Sequence, residues 1–195
     1  MPNPEIPDDY CLTYTAIGRS YFTAEQSNLA KELATLLAVQ GWTLRTRAIR
    51  GLDKVFWKEH HSISLKAELY TTWNVTRESL KFADRIRRKV QGRNTRWDFR
   101  RKKIHWYTPY YHRSVARSCQ ALLGNNLDSP SDLLIILGKG RYKKSGKKEE
   151  GRISTDIVEV MAHHLAIENC MGIVNLRTRS GRDYARQVID ALRQS

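Results

Sequence analysis

Gly18, Arg19 and Ser20 close a short apolar, β-rich run, and Thr23 and Gln26 follow with the spacing of a capping box. Strand, loop and helix N-terminus in that order put free backbone N–H groups and the positive end of a helix dipole where a phosphate can sit. A single glycine fits an ordinary β–α turn as well, and from these residues alone both readings stand. Further along, cations and aromatics interleave: Arg85, Arg88, Lys89, Arg93, Arg96, Trp97, Arg100, Arg101, Lys102, Lys103 and Trp106, then Lys139, Arg141, Lys143, Lys144, Lys147 and Lys148. Arg and Lys neutralise phosphates and aromatic rings stack on bases, the pairing that single-stranded nucleic acid favours. The alternatives are a solvated basic face and a small aromatic core local to that segment.

Other catalytic constellations are thin. His60–His61 and His163–His164 are adjacent pairs, and neighbouring helix residues point about 100° apart, so neither pair can clamp a metal from one helix face. Surface or capping histidines are the expectation, with no metal and no cofactor. There is no Gly-x-Ser-x-Gly elbow and no Walker loop. Asp53, two residues after Gly51, reads as a helix cap or loop brace rather than a general base, so no residue is assigned a catalytic role.

Charge bounds the partner more tightly than the chemistry does. The 195 residues carry 34 Lys and Arg against 20 Asp and Glu, a net +14, with a pI near 9.9. Residues 81–117 hold thirteen Lys or Arg against Asp84 and Asp98, a net +11, and residues 138–152 hold seven against Glu149 and Glu150, a net +5. The rest of the chain therefore nets −2, and the positive field is local, as phosphate neutralisation requires. No apolar run approaches the roughly 18 residues of a spanning helix, and the acidic, Pro-rich start has no apolar leader, so a soluble cytoplasmic protein without a membrane partner is expected. Cys11, Cys119 and Cys170 are isolated in apolar contexts and read as buried thiols.

The elements that must position these groups alternate. Residues 1–10 read as a disordered lead-in and 11–195 as one domain. Strands are expected at 11–17, 42–46, 63–70, 133–137 and 172–176. Helices are expected at 22–40, through Val55 and Phe56, from a Thr76 cap through Phe82, Ile86 and Val90, at 114–123, from 154 or 155 to 168, and from Ser180. Continuous apolar strands between amphipathic helices predict a three-layer α/β, Rossmann-like fold: a mostly parallel sheet with helices on both faces. The periodicity fails where cations and aromatics interleave, so a basic insertion is placed at about 81–111.

Five segments in order resemble the DNA-processing protein A / Lonely Guy (SLOG) Rossmann-like superfamily, in the small single-domain form often encoded by bacteriophages. They are Tyr14-Thr-Ala-Ile-Gly-Arg-Ser20, Leu44 to Phe56, Ala67 to Asn74, Ala116 to Asp132, and Arg152 to Asp156 before Val174-Asn-Leu176. The resemblance implies a nucleotide pocket bordered by Gly18, Arg19, Ser20, Arg45, Thr46, Arg47, Arg50, Gly51, Asp53, Gly138, Arg152, Ser154 and Thr155. Here the family's paired glycines are replaced by Arg47-Ala48 and Arg152-Ile153, and only a residue without Cβ lets the backbone approach a phosphate closely. The glutamate that the phosphoribohydrolases need is matched only by Glu159, four residues after Thr155 where the motif wants three, and no Pro-Gly-Gly precedes it. The expectation is therefore a remodelled pocket with Arg19, Arg45, Arg47, Arg50 and Arg152 at its mouth, on a protein that binds nucleic acid. A binder or N-glycosidic hydrolase of a nucleotide-derived small molecule is one alternative. A virion or complex-assembly protein, oligomeric or meeting an acidic partner through its basic surface, is the other.

Overall fold

Two strands buried on both faces set the architecture. β1 (Thr13–Gly18) and β4 (Leu133–Leu137) are buried along almost their whole length, because both of their faces are covered by helices. The computed structural model describes residues 11–18, 22–48, 51–93, 109–138 and 157–194. β2 (Thr43–Thr46) and β3 (Ala67–Leu69) extend the sheet on the β1 side, and β5 (Gly172–Asn175) extends it beyond β4. The order is β3-β2-β1-β4-β5, and every pairing is parallel.

Parallel neighbours need crossovers, and right-handed crossovers assign each helix a face. α1 (Ala24–Val39), α2 (Leu52–His61) and α6 (Arg179–Gln194) cover one face, where Tyr14, Ala16, Leu44, Ile135 and Val174 meet Leu33, Phe56 and Ile189. α3 (Arg77–Arg93), α4 (Pro109–Leu123) and α5 (Ile157–Glu168) cover the other, where Ile17, Leu134 and Ile136 meet Ile86, Leu122 and Met161. The fold is thus the three-layer α/β arrangement expected. The capping box at the start of α1 forms, with the Gln26 N–H donating to Thr23 Oγ1 and the Thr23 N–H donating to Gln26 Oε1. No described helix is long and apolar enough to cross a membrane.

Four expectations need correction. The third strand spans three residues rather than 63–70. A register of Leu44–Ala67 to Thr46–Leu69 uses all that β2 offers, while Ile63 and Leu65 lie in the exposed turn before it. The insertion placed at about 81–111 overlaps two core helices, since α3 continues to Arg93 with Ala83, Ile86 and Val90 buried, and α4 begins at Pro109 instead of Ser114. Residues 94–108 between them, and the lead-in 1–10, lie outside the described residues. Of the three free thiols only Cys119 is buried, which pushes its pKa up to about 12, whereas Cys11 and Cys170 are exposed.

The fourth correction concerns His60, which is no surface residue. It is fully buried on α2, its Nδ1 2.8 Å from the Tyr14 hydroxyl and its Nε2 3.0 Å from the Lys66 carbonyl. A carbonyl only accepts, so Nε2 carries the proton and Nδ1 accepts from Tyr14. Leaving either nitrogen unpaired in this core would cost about 1–3 kcal/mol. His61, exposed, stacks on Trp57 at 4.7 Å. His164 lies 3.1 Å from Glu168 one turn away.

Burial lowers the pKa of His60 below its ordinary 6.5, more than the Lys66 hydrogen bond raises it. The unfolded chain therefore takes up the proton first, and stability contributed by neutral His60 is present above about pH 6.5 and lost as pH falls through that value towards the folded-state pKa. Thermal unfolding followed from pH 8 to pH 5 is expected to show a loss approaching 1.4 kcal/mol per pH unit from this group at most. His60→Gln lowers the plateau and flattens the slope; a slope unchanged in that variant refutes the assignment.

Candidate functional site

The chain winds from β1 to β3 over one face and from β4 to β5 over the other, so the loops leaving β1 and β4 part from each other. In open α/β sheets the crevice beyond the carboxyl ends of two such strands is where ligands bind. Its described border is formed by Gly18 at the end of β1, Arg47 after β2, Gly51 and Asp53 at the start of α2, and Gly138 after β4.

Asp53 organises this edge. Its side chain is fully buried and accepts three hydrogen bonds, from Arg47 Nε at 2.7 Å, Arg47 Nη2 at 3.1 Å and the Gly18 N–H at 3.2 Å. Its place in the first turn of α2 adds the favourable interaction of a carboxylate with a helix N-terminus. Arg47 Nη1 donates to Ser118 Oγ at 2.8 Å, on α4 across the sheet. A single guanidinium therefore spans the carboxyl edge, from a helix of one layer to a helix of the other. Asp53 is the loop brace expected of it, and Arg47 is at the crevice as expected, but held within the protein rather than facing solvent. Ser118 was not legible: its hydroxyl also donates to the Ser114 carbonyl, a local pattern that gives no hint of a distant arginine.

The glycines have structural reasons. A Cβ on Gly18 would come within 2.8 Å of Leu137 Cβ and 3.0 Å of Leu52 Cβ, so β4 and α2 both pack on that position. Gly51 takes φ +64° just before α2, and Ala48 takes φ +48°, a left-handed conformation at a position where the resemblance wants glycine. Beyond Gly138, Glu159 is 3% exposed, its Oε2 3.4 Å from where a Gly138 Cβ would lie, so a buried carboxylate closes the β4 side of the same edge.

Arg45 does not belong to the pocket mouth. It points from β2 towards the opposite end of the sheet, pairing with Glu68 at 3.0 Å and donating to the Ser129 carbonyl in the α4–β4 loop, and it is buried. Thr46 is buried as well, its hydroxyl accepting from the Ala48 N–H at 3.1 Å. Arg19, Ser20, Arg50, Arg152, Ser154 and Thr155 lie outside the described residues.

Of the basic residues expected to meet nucleic acid, Arg85, Arg88 and Lys89 are exposed on α3, which ends at Arg93. Arg85 lies over the Phe82 ring at 4.9 Å, Arg88 Nε is 3.4 Å from the Asp84 carbonyl, and Lys89 pairs with Glu168 at 2.9 Å, a surface pair of at most about 1 kcal/mol. Arg96, Trp97, Arg100 to Lys103, Trp106, Lys139, Arg141, Lys143, Lys144, Lys147 and Lys148 lie outside the described residues. Among the described residues no cluster of His, Cys, Asp and Glu could hold a metal ion. No family model, curated protein or solved structure matches the chain.

Removing one member of a buried ion pair costs about 3–5 kcal/mol because the other charge is left without compensation. Arg47→Met is expected to destabilise the fold by about that amount in urea unfolding, and Arg47→Lys by most of it, since a point charge cannot bond both carboxylate oxygens and Ser118 together. A loss below about 1 kcal/mol for Arg47→Met would show that the pair is not a brace.

Proposed function

We propose that the protein binds nucleic acid, single-stranded DNA or RNA, mainly through phosphates and with little base readout, on a Rossmann-like sheet of the SLOG kind whose nucleotide crevice has been given up. The observation that carries this reading is the confinement of positive charge to residues 81–117 and 138–152, while the rest of the chain nets −2. The first begins on α3, which follows the carboxyl end of β3, and the second directly follows the carboxyl end of β4. Arg and Lys dominate them, and no helix presents Asn, Gln and Arg together for bidentate base contacts. An Arg47 already neutralised by Asp53 has little to offer a ligand phosphate, which supports a shift of anion binding from the crevice to the surface beside it. The host cytoplasm, or a virion if the gene is phage-borne, fits such a partner.

Engaging about five phosphates gives a slope of roughly −3.5 in log affinity against log salt on a single strand. Replacing Arg100, Arg101, Lys102 and Lys103 by Ala is expected to flatten that slope and to weaken all sequences about equally. Salt-titrated binding to single-stranded DNA, duplex DNA and RNA checks this; undetectable affinity for all three at low salt returns the basic surface to the assembly reading.

One observation favours the small-molecule reading: Glu159 is a buried carboxylate at the crevice, on the helix where the resembling hydrolases carry theirs. With Arg47 and Ala48 in place of glycines, free mononucleotides are nevertheless expected to bind at millimolar level or weaker. Calorimetry decides, and micromolar affinity for AMP or an ADP-ribose derivative, with cleavage of its N-glycosidic bond, would make this an enzyme.

A further inference from the structure

The strongest apolar anomaly of the described surface is Trp73, whose side chain is 91% exposed. It occupies a short 3-10 turn, Thr72–Asn74, between the carboxyl end of β3 and the start of α3. A tryptophan left in water forgoes the burial for which it is suited, and a floppy loop would let it fold back. This turn is pinned. Thr71 Oγ1 accepts from the Trp73 N–H at 3.3 Å, the Thr71 N–H donates to Asn74 Oδ1 at 3.3 Å, and Gln120 Nε2 on α4 donates to the Asn74 carbonyl at 3.0 Å. The backbone that presents the indole is thus tied to α4.

Charge identifies what the indole meets. Thr76 Oγ1 accepts from the Ser79 N–H at 3.1 Å and starts α3, whose first residue, Arg77, follows Trp73 by four positions, at most about 14 Å between Cα atoms. Arg77, Lys81, Arg85 and Arg88 are all exposed and recur at intervals of three or four, a stripe along one side of the helix, with Glu78 the exposed acid of that first turn and Asp84 half-buried beside the stripe. The other exposed apolar residues of this edge lie elsewhere. Ile63 and Leu65 precede β3 at its amino end, and Leu69 shares the sheet face of Ala67, opposite to the face on which α3 and α4 pack. Among the described residues Trp73 therefore stands alone at the head of a cationic ridge and forms no part of a wide apolar patch of the kind a protein partner covers.

We infer that Trp73 is a stacking ledge for one base of a single-stranded nucleic acid whose phosphates run along Arg77, Lys81, Arg85 and Arg88. The inference rests on the nucleic-acid reading above and assigns it a site that begins before the basic segment, on a rigid turn. Aromatic stacking tolerates any base, so the ledge adds affinity for single strands without sequence choice, and a duplex, whose bases are already stacked, does not use it.

The test compares the wild-type protein with Trp73→Ala, Trp73→Phe and Arg77→Ala/Lys81→Ala on a mixed-sequence single strand and on its duplex, each across a salt titration. Trp73→Ala is expected to weaken the single strand by roughly 5- to 150-fold, the range of one stacked base, with an unchanged salt slope and no effect on the duplex. Trp73→Phe recovers most of that loss. Arg77→Ala/Lys81→Ala leaves the stacking gain but reduces the slope by about 1.4, two phosphates' worth. If the wild type binds single strands and Trp73→Ala binds them equally well, the ledge is wrong while the nucleic-acid reading stands. If the wild type binds neither form at low salt, that reading has failed and the ledge with it. A wild-type dimer in sedimentation that Trp73→Ala converts to monomer assigns the indole to a protein interface and overturns the inference.

Discussion

A buried carboxylate between a strand end and an arginine holds the carboxyl edge of the sheet in one arrangement. Asp53 fixes the Gly18 N–H at the last residue of β1, the guanidinium of Arg47 past the end of β2, and through it Ser118 on the far layer. Three elements of one layer or of the sheet and one of the other are thus locked by two side chains. Two isolated charges in this setting would be prohibitively costly, so the pair is tolerable only because nearly every lone pair and donor of both groups is used. The same completeness that makes it a good brace makes it a poor receptor: the cation at the crevice has its anion already.

The backbone beside this brace enters the left-handed region twice. Ala48 sits at φ +48°, which costs an L-residue roughly 1–2 kcal/mol, and Gly51 follows at φ +64°. The bond from the Ala48 N–H to Thr46 Oγ1 offsets part of that cost.

Legibility followed burial. β4, covered on both faces, reads as an unbroken apolar run and β1 as a short β-rich one, and the helices between strands showed core spacing, so element order and layer count could be taken from the sequence. Edges were harder, because β3 pairs on one side only and needs three residues, which leaves Ile63 and Leu65 apolar and outside it. The histidine and arginine errors share a cause. His60 and Arg45 are polar residues placed inside, and residue type alone assigns them to the surface; what admits them is a partner from a distant segment, Tyr14 across 46 residues and Ser129 across 84. The partner of Arg47, Ser118, lies 71 residues away, so the orientation of that guanidinium was beyond any local pattern.

α3 divides between a buried face and a charged, exposed one. Ala83, Ile86 and Val90 hold it in the core with α4 and α5, so the cations on its outer side stand on a helix anchored to the rest of the fold. Rigid presentation lowers the ordering cost of binding, and only the long side chains remain to be immobilised. Screening limits how far each charge reaches: at physiological ionic strength the Debye length is about 8 Å, so the fields of Arg77 and Arg88, eleven residues apart and about 16 Å along the axis, overlap little.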